Sequence, residues 1–221
     1  MARNKLKKFE ELNRMAQVFQ PSRDEILKNN FSIKGEWCKK FNNSNPIVLE
    51  LGCGKGEYTI NLAKMFPQKN YIGIDIKGSR IHTGATLANK ESLVNVSFIR
   101  TQIEYLENIF SNNEISEIWI TFPDPQIKYH RRKKRLTHPS FLSMYSNILK
   151  PGGLVHLKTD SMFLHGYTLG LSESSSLKVH KSIHDIYSVY SNDPKLNIKT
   201  YYEQKFLKNQ CPISYLSFSF L

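Results

Sequence analysis

With 221 residues, 40% of them hydrophobic, the chain suits one domain with a sizeable core, and it lacks the long apolar run that a membrane span needs. A formal charge of +12 and a pI near 9.5 point to an anionic partner, with nucleic acid foremost. Cys38, Cys53 and Cys211 are far apart, odd in number and without metal-ligand spacing. This excludes a disulfide scaffold and fits a metal-free protein of the reducing cytoplasm, with no secretory signal expected.

Met1 to Asn30 carries Arg3, Lys5, Lys7, Lys8, Arg14, Arg23 and Lys28 among few clustered apolar residues. It is expected as a basic arm over residues 1–30, either a tail without a role or an RNA-contacting extension, with residues 31–221 as a single domain. Phe31 to Phe41 is expected as a short helix carrying Trp37 towards the core. Ile47 to Leu51 is a short apolar strand, followed by Gly52-Cys53-Gly54-Lys55-Gly56 and an amphipathic helix over Tyr58 to Phe66. Strand, glycine loop and helix start together make a place where a ligand can approach backbone amides. The G-x-G-x-G spacing is not that of dinucleotide enzymes, and a plain tight turn would also produce it.

Glu50 is a carboxylate inside an apolar strand, costly unless it is paired or placed at an opening. It would suit a ligand's ammonium group, or a salt bridge to Lys55. Asn70 to Ile76 is the next strand, and Asp75 near its end lies about 20 residues past the glycines, where an acid accepts from ribose hydroxyls. Such a loop, with Glu50 before it and Asp75 after it, resembles the S-adenosylmethionine site of the class I methyltransferases. The remaining pattern is read as a helix over Lys77 to Asn89, a strand over Asn95 to Thr101, a helix over Ile103 to Phe110 and a strand over Glu117 to Phe122. Gln102 follows the third of these strands, as an adenine contact or as a loop residue with no role.

Ile118 to Leu136 runs from an apolar strand, through two prolines flanking Asp124, into Lys128, Arg131, Arg132, Lys133, Lys134 and Arg135. A loop leaving the carboxyl end of a strand lies at the rim of the site in a doubly wound sheet, so these cations are expected to hold a polyanion against the chemistry. A helix over His138 to Leu149 is stopped by Pro151-Gly152-Gly153 before a strand over Leu154 to Thr159, and Asp160 ends that strand on the rim. Phe163 to Leu171 is expected as a helix, Leu177 to Tyr187 as a strand and Ser191 to Asn197 as a turn-rich connection. Thr200 to Glu203 has capping-box spacing. Ile213 to Leu221 alternates as a closing strand, antiparallel and at the edge or next to it.

Phe122-Pro123-Asp124-Pro125 with Lys128 and the basic residues through Leu136, then Leu149-Lys150-Pro151-Gly152-Gly153, Lys158-Thr159-Asp160 and Thr200 to Glu203, resemble the bacterial tRNA (guanine-N7-)-methyltransferase family. The likeness runs from about Ile47 to the C-terminus. It implies an α/β, Rossmann-like class I methyltransferase fold, a mostly parallel seven-stranded sheet with helices on both faces and an antiparallel strand near the C-terminus. It also implies methyl transfer from S-adenosylmethionine to N7 of a guanine in the tRNA variable loop. By the same resemblance Glu50, Gly52, Gly54, Gly56, Asp75, Gln102 and Asp124 hold the cofactor, Asp124 is the catalytic acid, and Lys128, Asp160, Thr200, Tyr202 and Glu203 contact tRNA. The chain departs from the family's commonest form at Gln126 and Ile127, where that form has Trp and Pro, at Gln102, where it has Asp or Asn, and at Arg131, where it has His. An amino-group nucleic-acid methylase and a basic RNA-binding module without catalysis are the alternatives. Guanine N7 offers an in-plane lone pair and no proton, so the chemistry asks for alignment and for a carboxylate near the developing positive charge, Asp124 or Asp160.

Overall fold

The computed structural model describes residues 2–174, 176–189 and 192–221. Its spine is an eight-stranded sheet in the order β1-β4-β3-β2-β5-β6-β8-β7. The strands are β1 (Val18–Phe19), β2 (Ile47–Leu51), β3 (Asn70–Asp75), β4 (Val96–Arg100), β5 (Ile115–Thr121), β6 (Leu149–Thr159), β7 (Leu177–Ile183) and β8 (Ser214–Phe220). β1 to β6 pair in parallel, whereas β8 runs antiparallel between β6 and β7. The closing strand is therefore next to the edge.

Parallel strands covered on both faces read as continuous apolar runs, and every residue of β2 and β3 is buried. Alternate residues then serve opposite cores, as on β5, where Ile118 and Ile120 join the cluster around Trp37 and Tyr145 while Trp119 joins the one around Tyr58. The helices supplying these cores are α3 (Trp37–Phe41), α4 (Glu57–Met65), α5 (Gly78–Lys90), α6 (Leu106–Ile109), α7 (Pro139–Ile148) and α8 (Met162–Ser174). Trp37 is fully buried and its indole donates to the Ile109 carbonyl at 3.3 Å.

Several elements differ from the sequence expectation. The sheet has eight strands rather than seven because β1 adds parallel to β4, with the Phe98 amide donating to the Gln17 carbonyl at 2.8 Å. It covers what would be an open sheet edge. The stretch expected as an arm holds α1 (Ala2–Asn13), packed against α5 with Leu12 fully buried, and α2 (Arg23–Leu27), with Ile26 buried. Arg3, Lys5, Lys7, Lys8 and Arg23 thus lie on helices that pack into the two cores, with Arg14 and Lys28 just past their ends; Met1 lies outside the described residues. β6 starts at Leu149, taking in Pro151-Gly152-Gly153 as an irregular stretch where the register against β5 shifts and Gly152 adopts φ +76°. β7 ends at Ile183, since the Asp185 carboxylate accepts from the Tyr187 and Ile213 amides at 3.1 and 3.4 Å and turns the chain. Residues 103–110 form a 3₁₀ turn (Ile103–Tyr105) before the single turn of α6. Ser191 of the turn-rich connection lies outside the described residues; the rest of it turns at Pro194, whose carbonyl accepts from the Asn197 amide at 3.2 Å.

Candidate functional site

From β2 the chain moves outward to β3 and β4, then returns to β5 on the other side of β2. Ligands bind at such a switch point, outside the carboxyl ends of the strands. The glycine loop fills that place. The Gly52 and Cys53 amides donate to the Ile74 carbonyl at 2.8 and 2.9 Å, and Asp75 accepts from the Gly54 amide at 2.9 Å and the Lys77 amide at 2.7 Å. Gly56 caps α4 with φ +71°, and a Cβ there would come within 2.6 Å of the Phe98 ring, so only glycine fits.

Glu50 is buried on the α4 side of the sheet. It accepts from the Thr59 amide at 2.8 Å, from the Thr59 hydroxyl, and from the Thr121 hydroxyl at 2.7 Å. Among the described residues no cation pairs with it, and the Lys55 ammonium lies instead over the Tyr201 ring, 4.9 Å from its centroid. Of the two readings of Glu50, the Lys55 bridge is the one the structure does not form. Burial pushes the Glu50 carboxyl up to about 7, with the hydroxyl and amide donors of the two threonines opposing it. Its three hydrogen bonds come from neutral donors, so the carboxylate is buried without a counter-charge.

Two adjoining cavities open here. The larger, about 570 Å³, is lined by Gly52, Asp75, Gln102 and Asp124 among others. The smaller, about 130 Å³, is lined by Glu50, Gly52, Gly54, Thr200 and Tyr202. They share Gly52, Arg80, Thr121 and Phe122, so they adjoin across these residues. Of the residues singled out in the sequence, Gly56, Lys128, Asp160 and Glu203 line neither.

Asp124 is exposed at the mouth, where its carboxylate accepts from the Gln126 amide at 3.0 Å. The turn around it is strained, with Phe122 at φ +50° and Gln126 at φ +46°. Left-handed backbone at a non-glycine costs about 1–3 kcal/mol and persists only where surroundings impose it. The basic run follows as a 3₁₀ helix (Tyr129–Lys134) preceded by Lys128, and Lys128, Arg131, Lys133 and Lys134 are exposed. Arg135 departs from the expectation made for the whole run. It is 7% exposed, donates from Nε and Nη2 to the Gln126 carbonyl at 3.3 Å each, and lies over the rings of Phe163 and Tyr167.

Opposite stands α9 (Tyr201–Lys208), started by the capping box that Thr200 and Glu203 form. Glu203 is fully buried and cannot face a substrate directly. Its carboxylate meets the fully buried Lys158 ammonium at 2.7 Å and accepts from the Tyr187 hydroxyl at 2.7 Å. Lys158 also donates to the Leu196 and Ile198 carbonyls at 2.8 and 2.9 Å. Tyr202 stays half-exposed, with its hydroxyl accepting from Arg80 at 3.1 Å. Asp160 lies at the end of β6, and partial burial raises its carboxyl above the ordinary value.

Residues 44–216 match a family model described as "Putative methyltransferase". The tRNA (guanine-N(7)-)-methyltransferase of Christiangramia forsetii is 54% identical over 219 residues, 98% of each chain. The chain belongs to the tRNA (guanine-N(7)-)-methyltransferase family. A second member, from Bacteroides thetaiotaomicron, is 46% identical over 99% of this chain and 86% of its own. Among solved structures, the 16S rRNA methyltransferase KamB superposes with a TM-score of 0.65 at 15% identity, over 84% of this chain and 93% of that one. A 30S ribosomal A1408 methyltransferase from an uncultured bacterium gives 0.61 at 20% identity, over 85% and 93%. At these identities the likeness concerns the fold, which is that of the class I methyltransferases.

In this family member, sequence reasoning missed Thr59 and Thr121, which hold Glu50, and Arg80, which lines both cavities. Thr121 stood at the end of a predicted strand beside the site, so its position was a usable signal. Arg80 lies inside a helix with nothing local to mark it.

Proposed function

We propose that this protein transfers a methyl group from S-adenosylmethionine to N7 of a guanine in the variable loop of tRNA. The observation that carries the reading is the pair of adjoining cavities, one lined by the buried, cation-less Glu50 and the other by Asp124, which leads into the exposed cations. The residues fit the cofactor. Glu50 would take its ammonium group, Asp75 would accept ribose hydroxyls on the lone pairs that its two backbone donors leave open, and Gln102 would border the adenine. When bound, S-adenosylmethionine supplies an electrophilic methyl on a sulfonium.

The chain's own part is alignment and electrostatics. Guanine N7 has no proton to lose, so no general base is needed, and the purine gains positive charge as the methyl arrives. Asp124 at the cavity mouth can accept from the donor edge of the base and offset that charge. The Cys53 thiol within the glycine loop is pushed well up by burial, which keeps it protonated. Lys128, Arg131, Lys133 and Lys134 would hold phosphates, with Tyr202 and Thr200 at the smaller cavity, Asp160 at the end of β6 and Glu203 acting through the framework. No helix described is long and apolar enough to cross a membrane. A protein acting on tRNA in this way would work in the cytoplasm, as one methyltransferase domain whose N-terminal basic residues extend the RNA-facing surface.

Incubation with labelled S-adenosylmethionine and tRNA, followed by nucleoside mapping, should yield 7-methylguanosine at a variable-loop guanine. Label on an exocyclic amino group would favour an amino-group methylase. Cofactor binding absent by calorimetry would leave only an RNA-binding module.

A further inference from the structure

Arg135 shares its sequence context with five other cations between Lys128 and Lys134 but not their environment. It is buried, its guanidinium faces the Phe163 and Tyr167 rings of α8 at 4.8 and 4.5 Å, and its two donors converge on the Gln126 carbonyl. Gln126 is the residue at φ +46° whose amide donates to the Asp124 carboxylate at 3.0 Å. The loop is thereby closed at its base, with the exposed 3₁₀ helix standing beyond the closure.

We propose that Arg135 is a positioning residue for methyl transfer, its guanidinium fixing the Gln126 carbonyl and so holding the Asp124 carboxylate at the cavity. The inference rests on the reading above that Asp124 stands beside the reacting groups. A residue other than glycine relaxes out of the left-handed region when nothing holds it there. If the grip on its carbonyl is lost, Gln126 can leave that region by rotating about its N–Cα bond, and the preceding peptide, whose N–H orients Asp124, is no longer held in place. A flat, forked guanidinium can meet one carbonyl through two of its nitrogens while its plane lies against two rings; an ammonium is a point donor without that fork or that plane. Arg135 therefore serves the RNA-facing loop without touching RNA.

The test compares Arg135→Lys and Arg135→Ala with Lys133→Ala. At saturating tRNA and cofactor, Arg135→Lys should lower single-turnover methylation by about 10²-fold, the scale of a small misplacement of a reacting group. Its tRNA affinity and salt dependence should match wild type, whereas Lys133→Ala should flatten the salt slope by about one unit. Exchange of the Gln126 amide with solvent should speed up in both Arg135 variants. Added guanidinium ion should restore part of the rate of Arg135→Ala. A wild-type rate in Arg135→Lys, or a salt slope that falls as in Lys133→Ala, overturns the proposal. Absence of N7 methylation by the wild-type protein would overturn the function instead, and amide exchange with the salt slopes would still decide whether Arg135 holds the loop or binds RNA.

Discussion

Two buried carboxylates lie near the cavities, Glu50 lining the smaller one and Glu203 enclosed behind it at the start of α9, and they differ in one respect. Glu203 has the Lys158 ammonium, the Tyr187 hydroxyl and the Thr200 amide. Glu50 has an amide and two hydroxyls. The donors are alike in number, but only one set carries a full charge, and burial has lifted Glu50 to about 7. Hydrogen bonds can replace the water around a buried carboxylate, yet they cannot neutralise it. The satisfied acid belongs to the framework that starts α9; the other, without a counter-charge, is the one proposed to receive a cationic ligand group.

The comparison is broken most forcefully at Lys158. Lys158→Met leaves Glu203 buried without its counter-charge, and urea unfolding should show a loss of about 3–5 kcal/mol. Adding Glu203→Gln should recover much of it, since the uncompensated charge is then gone. A cost below about 1 kcal/mol for Lys158→Met would place this pair with weak surface bridges instead.

Asp124→Asn comes next. It should preserve the fold and most tRNA binding while lowering the single-turnover rate by about 10²–10³-fold, as for loss of one preorganised electrostatic group. At saturating cofactor the wild-type rate should be nearly flat from about pH 6 to about pH 8.5, because no proton transfer accompanies attack by N7. A steep climb across that window in wild type, absent in Asp124→Asn, would make the carboxylate a base.

Glu50→Gln sharpens the contrast from the other side. Loss of a charge-assisted bond, about 1.5–3 kcal/mol, should weaken cofactor binding by roughly one to two orders of magnitude. Without cofactor the sign reverses. A carboxyl raised in the folded state stabilises most at low pH and loses that contribution as pH climbs from its ordinary 4.5 through about 7. The substituted protein, with no charge to bury, should therefore be more stable than wild type at about pH 8 by urea unfolding. Lower stability there would show that the threonine donors already suffice. The smallest effect belongs to a single exposed cation: Lys133→Ala should lower tRNA affinity modestly and the salt slope by about one unit, and an unchanged slope would remove it from the interface.

The central strands were legible because parallel strands buried on both faces must be apolar throughout, and Ile47–Leu51 was readable to the residue. So was the capping box at Thr200 and Glu203, whose signal is local in sequence. The site was legible where geometry follows from strand ends, which brought Asp75, Gln102 and Asp124 to one cavity. Where side-chain fate depends on distant packing, the sequence was silent. Arg135 looks like its neighbours until Phe163 and Tyr167 arrive from α8, and Glu203 looks like a surface acid until Lys158 arrives from β6. The two residues of β1 are too few to show a pattern, and α1 is fixed by its docking on α5 rather than by its own composition.

Whether Glu50 receives the cofactor's ammonium group is read most directly from cofactor affinity against pH. For wild type, S-adenosylmethionine binding should tighten by about tenfold per pH unit as pH rises towards 7, because Glu50 must give up its proton to receive the ammonium group, and should level off above about 7. In Glu50→Gln that slope should vanish. With wild type it should vanish equally for 5′-methylthioadenosine, which lacks the amino-acid portion. A wild-type affinity for S-adenosylmethionine that is flat across the same range, or one that keeps its slope in Glu50→Gln, would contradict the assignment of this carboxylate to the cofactor's ammonium group.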